Sequence, residues 1–237
     1  MKFNLSKEPE LSCVVITLNE EKYLPILLDS LKKQTYKNFE VIVADYNSKD
    51  KTRLIAKKYG CRITQGGNYT VGRNNGARAA RGKYLLFLDA DSMVPEDFLE
   101  KNFSEFKDSG MGTGTVSVKP IGGKVFDKIF FDFYNIWARS MAKISPHCAG
   151  CGIFCKKEIF DKIGGFNEKI LFAENHDFTK RAKDFGFTIL GTPMFTSVRR
   201  LEKEGRLKFA AKYVYSGVYR LLYKEIDKKL FDYNDER

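Results

Sequence analysis

Between residues 11 and 89, short apolar runs rich in β-branched residues take turns with helical stretches, and few folds accommodate that order. LSCVVITL (11–18), FEVIVAD (39–45), CRIT (61–64) and KYLLFLD (83–89) read as strands. NEEKYLPILLDSLKKQ (19–34), SKDKTRLIAKKYG (48–60) and TVGRNNGARAARG (70–82) read as helices. Leu24, Leu27, Leu28 and Leu31 share one face of the first, with Asn19 as its cap. Ser48 caps the second and Gly60 stops it. Apolar strands separated by helices predict an α/β chain with a mostly parallel sheet flanked by helices on both faces.

Ligands of such sheets bind beyond the carboxyl ends of the strands. Thr17 to Glu20, Asp45, and the pair Asp89 and Asp91 all emerge there. In YLLFLDADSMV (84–94) a buried run ends in two carboxylates separated only by Ala90. Each charge costs roughly several kcal/mol at the edge of a core unless something compensates it. A hard cation, Mg²⁺ or Mn²⁺, suits Asp-x-Asp presented from a turn, since it takes one or two carboxylates and fills its shell with water and phosphate oxygens. The plainer alternative is a helix cap, Asp91 or Ser92 starting the helix after Pro95. VGRNNG (71–76) puts Arg73 near the same rim, where a guanidinium can pair with phosphate. Asp45 is placed to accept hydrogen bonds from a ribose or a base edge.

The second half is less regular. Residues 95–110 read as a helix, 112–118 as a strand, and 123–144 as a helix with Phe126, Ile129, Phe130, Phe133 and Trp137 on one stripe. Residues 174–186 form another helix, in which Asp177 and Arg181 are spaced for an ion pair. Without repeats or linkers, the chain divides into one domain over 11–200 and a basic, aromatic helical extension over 201–237. That extension interleaves Lys208, Lys212, Arg220, Lys224, Lys228 and Lys229 with aromatics. The pattern fits an interfacial helix on an anionic membrane, or equally a helix docked on the core.

Lysine and arginine (41) exceed aspartate and glutamate (30), a formal charge of +11 that favours anionic partners. No recognised module supports nucleic acid. No signal-peptide pattern and no run of about 18 apolar residues is present, so a cytoplasmic protein is expected, peripheral at most to the inner face of the cell membrane. Five cysteines suit free thiols; HCAGCGIFC, with His147, Cys148, Cys151 and Cys155, reads as buried thiols before it reads as a metal site.

From about residue 11 to 190 the chain resembles the family-two glycosyltransferases of GT-A fold, a Rossmann-like architecture. The resemblance rests on VVITLNEE, FEVIVADYNSKDKT, GRNNGARAARGKYLLFLDADS, IGGF and AENHDFTKRAKDFG in fixed order. It implies a nucleotide-diphosphate sugar, UDP- or GDP-linked, bound over the N-terminal half with Mn²⁺ or Mg²⁺. The sugar then passes with inversion to a saccharide or lipid-linked acceptor, a cell-envelope product. Thr17, Asn19, Glu20 and Asp45 match nucleotide-contacting positions, and Arg73 matches the arginine of an A-R-N-x-G stretch. Asp89 and Asp91, flanking Ala90 beside the donor, match the metal-binding D-x-D. Tyr46 stands where many relatives carry a second acid.

In relatives the base is the Asp of a Glu-Asp pair, whereas this chain reads Glu174-Asn175. An amide has no basic lone pair to serve that role. Three explanations stay open: an Asp-to-Asn change that traps substrates, a substitute base among Glu174, His176 and Asp177, or a sugar-nucleotide-binding protein without efficient turnover. CAGCGIF (148–154) places Gly150 in the acceptor-side loop. Arg199 and Arg200 can grip an acceptor phosphate or a headgroup, although solvated charges are the simpler reading. A nucleotidyltransferase on a related sheet is a more distant alternative.

Overall fold

The computed structural model describes residues 3, 8–142, 144–170, 174–209 and 211. Of the expected helical extension over 201–237, residues 210 and 212–237 lie outside them. One mixed sheet organises the molecule. Its strands are β1 (Leu11–Thr17), β2 (Phe39–Asp45), β3 (Arg62–Gln65), β4 (Tyr84–Asp89), β5 (Ser92–Met93), β6 (Thr113–Ile121), β7 (Ile153–Lys156) and β8 (Phe187–Ser197). They lie in the order β3-β2-β1-β4-β7-β6-β8-β5. The first four are parallel, as expected; β7 runs antiparallel to β4 and β6, and β8 is parallel to β6.

The helices are α1 (Leu24–Lys32), α2 (Thr52–Tyr59), α3 (Tyr69–Ala79), α4 (Phe98–Ser109), α5 (Val125–Met141), α6 (Lys157–Lys162), α7 (Glu174–Arg181) and α8 (Arg199–Glu204). Alternate strand residues serve opposite faces. Cys13, Val15, Leu86 and Leu88 pack with Leu24, Leu27, Leu28 and Leu31 of α1 and Phe98, Phe103 and Phe106 of α4. Val14, Ile42, Leu85 and Phe87 meet Ala77 of α3, Phe160 of α6 and Phe178 of α7. Both faces are therefore covered, which is why these strands carry no polar side. α3 lies close to β1: a Cβ at Gly72 would sit 3.0 Å from Ile16 Cγ2, and one at Gly76 would collide with Val14.

Several helix starts differ from expectation. Asn19 adopts φ +54° and exchanges bonds with the loop after β2, donating to Ser48 Oγ (2.8 Å) and accepting from Lys49 N (2.9 Å). It caps nothing, and α1 begins later, with Pro25 in its first turn. Ser48 likewise spends its hydroxyl on Asp45 rather than capping α2. Neither Asp91 nor Ser92 caps α4, because Ser92 and Met93 pair with Thr196 and Phe195 as β5.

The second half held two strands that sequence reasoning missed. β8 contains Gly191 and Pro193, residues that argue against a strand. β7 is only four residues long and follows the glycine-rich loop. The expected boundary at 200/201 falls inside α8, whose Leu201 is buried in the main core. Arg206 clamps Asp127 at the start of α5 (2.7 and 2.9 Å), and Phe209 packs on Phe130.

Candidate active site

Parallel pairing puts the carboxyl ends of three strands at one level, with Thr17 opposite Asp45 and Ile16 opposite Asp89. The expected rim is thus a consequence of register. Asp45 is buried and fully engaged, accepting from Thr17 Oγ1 (3.0 Å), Ser48 Oγ (2.5 Å) and Ser48 N (3.1 Å). Tyr46 and Asn19 beside it are exposed. Ala90 is fully buried, and it holds Asp89 and Asp91 apart at the sheet edge with side chains 23% and 16% exposed.

Each of these carboxylates already faces a guanidinium. Arg199 Nε lies 2.9 Å from Asp91 Oδ2, while its two terminal nitrogens hold Glu20 at 2.8 and 2.5 Å. The plane of Arg199 also stacks over Tyr23, 4.3 Å from the ring centre. Arg199 was expected on an acceptor phosphate or in solvent; it instead bridges Glu20 and Asp91, two of the expected site acids. Glu20, expected to contact nucleotide, is fully buried beneath it. Arg200 points elsewhere, pairing with Glu204 (3.0 Å) and lying over Phe209.

Arg73 is the second correction. Expected on the rim for a phosphate, it is only 2% exposed. It donates to Glu174 Oε1 (2.7 Å), Asn175 Oδ1 (3.1 Å), Asp89 Oδ1 (3.3 Å) and the Gly150 carbonyl (2.6 Å). Burial works against its charge, but Glu174 and Asp89 outweigh that and hold it more firmly protonated than usual. Removing one member of such a buried set costs about 3–5 kcal/mol. Arg73 therefore ties β4, the glycine loop and α7 together. Its neighbour Asn74 does the same for the IGGF loop, donating to the Phe166 carbonyl and accepting from its amide, each at 2.9 Å.

These ties place residue 175. Gly150 has φ +87°, and a Cβ there would lie 2.7 Å from Asn175 Nδ2, so only glycine lets the loop approach. The base candidates around it are all engaged. Glu174 is 7% exposed and bound to Arg73. Asp177 takes two bonds from Arg181 (2.9 and 2.7 Å), the expected ion pair. His176 Nε2 is 3.1 Å from Ser145 Oγ.

All five cysteines are free thiols. Burial, then the charges of Asp89 and Asp91, push the Cys151 thiol well up, and burial chiefly raises Cys148 to about 12, so neither offers a thiolate. Among the described residues no three His, Cys, Asp or Glu side chains converge on one point. The two aspartates supply the one or two carboxylates that a hard divalent cation takes from a protein, and such a cation would share or replace the guanidinium that each now faces.

Comparison with known proteins identifies the family and the fold. Residues 12–164 match the model of glycosyl transferase family 2. AglE, a glycosyltransferase of Haloferax volcanii, is 25% identical over 195 residues, which is 76% of this chain and 64% of that protein. TarS of Staphylococcus aureus, a poly(ribitol-phosphate) β-N-acetylglucosaminyltransferase, is 30% identical over 186 residues, covering 72% of this chain and 32% of TarS. The chain thus spans less than two thirds of these relatives.

Among solved structures, S. aureus TarS 1-349 with UDP-GlcNAc superposes with a TM-score of 0.64 at 25% identity, over 79% of this chain and 58% of that one. The mannosyltransferase PcManGT of Pyrobaculum calidifontis, solved with GDP-Man and Mn²⁺, shares the fold at a TM-score of 0.65 and 22% identity, over 84% and 61% of the two chains. The fold is that of the GT-A class of α/β proteins. Within it, the chain belongs to glycosyl transferase family 2.

Proposed function

We propose that the protein transfers a sugar, with inversion, from a UDP- or GDP-linked donor to a hydroxyl of a saccharide or lipid-linked acceptor. The observation that carries this reading is the common rim of Thr17, Asp45, Asp89 and Asp91, set by strand register and bearing two carboxylates matched to positive charge. The UDP-GlcNAc bound by TarS supports a donor of this class. Asp89 and Asp91 would hold Mn²⁺ or Mg²⁺, which when bound neutralises charge building on the departing nucleoside diphosphate.

The protein's own residues do the rest. The Thr17–Asp45–Ser48 network orders the loop on which a nucleoside rests, with exposed Tyr46 offering a ring face. Arg73 fixes Asp89 and residue 175 in one frame, so the acceptor side is held rigidly against the donor side. Asn175 accepts from Arg73 and orients an acceptor hydroxyl by hydrogen bonding. As the oxygen bonds to the anomeric carbon and the nucleoside diphosphate leaves, the hydroxyl proton passes to solvent water, since an amide does not take it.

The amide at 175 also favours a second reading, a sugar-nucleotide-binding protein with little turnover. Assaying wild type beside Asn175→Asp with UDP- and GDP-sugars and Mn²⁺ separates the two. The transferase reading predicts measurable transfer by wild type and a rise of roughly a hundredfold or more in kcat in the Asp form. No transfer by either form, with donor binding intact, supports the binding protein.

A further inference from the structure

Helix α5 is apolar on its outer side. Val125, Phe126, Ile129, Phe133, Ile136 and Trp137 are between 36% and 73% exposed. At about 100° per residue they fill an arc of about 120°. The packed side, opposite, buries Asp127, Phe131 and Ala138. A surface helix of a globular protein normally shows the reverse, with its apolar stripe inward. Of the expected stripe, Phe126, Ile129, Phe133 and Trp137 face out, whereas Phe130 is half-buried against Phe131 and Phe209. Contiguous apolar surface of this kind marks a contact.

Two observations say what meets it. Exposed Lys128 and Arg139 border the arc along one edge and exposed Lys124 immediately precedes the first turn, against the single exposed acid of the helix, Asp132. In a chain of formal charge +11, that border repels a second copy and attracts an anionic surface. The other edge leads to the site. Ring centres step from Tyr134 to Trp137 (6.1 Å), from Trp137 to His147 (4.4 Å) and from His147 to His176 (4.1 Å), the residue after Asn175.

We propose that α5 is a membrane-docking helix. It lies in the headgroup zone of an anionic bilayer with Ile129, Phe133 and Ile136 inserted and Lys124, Lys128 and Arg139 on lipid phosphates. This turns the residue-175 side of the site toward the lipid surface. The docking stands on this surface alone and does not depend on the transferase reading.

Trp137 is the only tryptophan, so its fluorescence reports on α5 directly. Adding phosphatidylcholine vesicles that contain phosphatidylglycerol to the full chain should blue-shift its emission, and brominated lipid should quench it. Vesicles of phosphatidylcholine alone should do so far less. In co-sedimentation, Ile129→Glu/Phe133→Glu should weaken binding by about tenfold or more, while melting temperature and nucleotide-sugar affinity stay at wild-type values. Three results overturn the proposal: no fluorescence response to anionic vesicles, vesicle binding undiminished by the double variant, or a wild-type dimer that the double variant dissolves. Retained donor binding in the double variant separates any of these from a failure of the transferase reading.

Discussion

At Asp91 the carboxylate meets the Arg199 guanidinium at 2.9 Å, and the same group holds both oxygens of Glu20. A cation arriving at Asp91 therefore competes with an internal one. At an effective dielectric near 20, removing a unit charge about 4–8 Å away changes the binding of a divalent cation by roughly 4–8 kcal/mol before relaxation and screening, which reduce it. Arg199→Met should accordingly bind free Mn²⁺ at least about tenfold more tightly than wild type, read by electron paramagnetic resonance without nucleotide. Weaker Mn²⁺ binding would mean that Arg199 orients Asp91 for the metal instead of occupying it. The aspartates were legible in YLLFLDADS because two adjacent charges at a strand end demand compensation. The partners of Arg199 were not, since the residue lies 179 positions from Glu20 and β8, which carries the chain to α8, was itself unreadable.

The elements that build the rim are held in register by more than their ladder bonds. Glu40, fully buried on β2, accepts from Ser12 Oγ of β1 (2.8 Å), Arg62 Nη1 of β3 (2.8 Å) and the Arg81 amide after α3 (2.8 Å). Burial alone would raise its pKa, but the bonds from Arg62, Arg81 and Ser12 together lower it below the usual value of 4.5. A depressed folded pKa stabilises the protein above the unfolded value and loses that stabilisation as pH falls through the folded one. Glu40→Gln should thus cost about 2 kcal/mol at pH 7, and the difference from wild type should shrink as acid protonates Glu40 below about pH 4. Thermal melts across that pH series check both parts; a gap that widens in acid contradicts this account.

Element by element, the four parallel strands and the αL stops at Gly60 and Gly110 could be read directly, because apolar period and glycine chemistry act locally. The starts of α1, α2 and α4 could not. Asn19 and Ser48 had partners across the rim that outcompeted the capping role their residue type suggests, while the backbone of Ser92 was drawn into β5 and its buried hydroxyl caps nothing. The partners of Arg73 were hidden for a related reason: a guanidinium near the rim suits a phosphate, but on α3 it meets four protein acceptors that come from distant parts of the chain.

At the scale of the molecule, a regular half presents the acids and an irregular half, tied on through Arg73 and Arg199, closes over them. No helix among the described residues is long and apolar enough to cross a membrane. The central claim is that Asp89 and Asp91 hold a divalent cation against the donor's diphosphate. Isothermal titration of wild type and Asp89→Ala/Asp91→Ala with UDP- and GDP-sugars, with and without Mn²⁺, tests it most directly. The account predicts that Mn²⁺ raises wild-type affinity for one donor class by about tenfold or more, 1.4 kcal/mol, and leaves the double variant weak in either buffer. Equal, Mn²⁺-independent affinity in both proteins would contradict it.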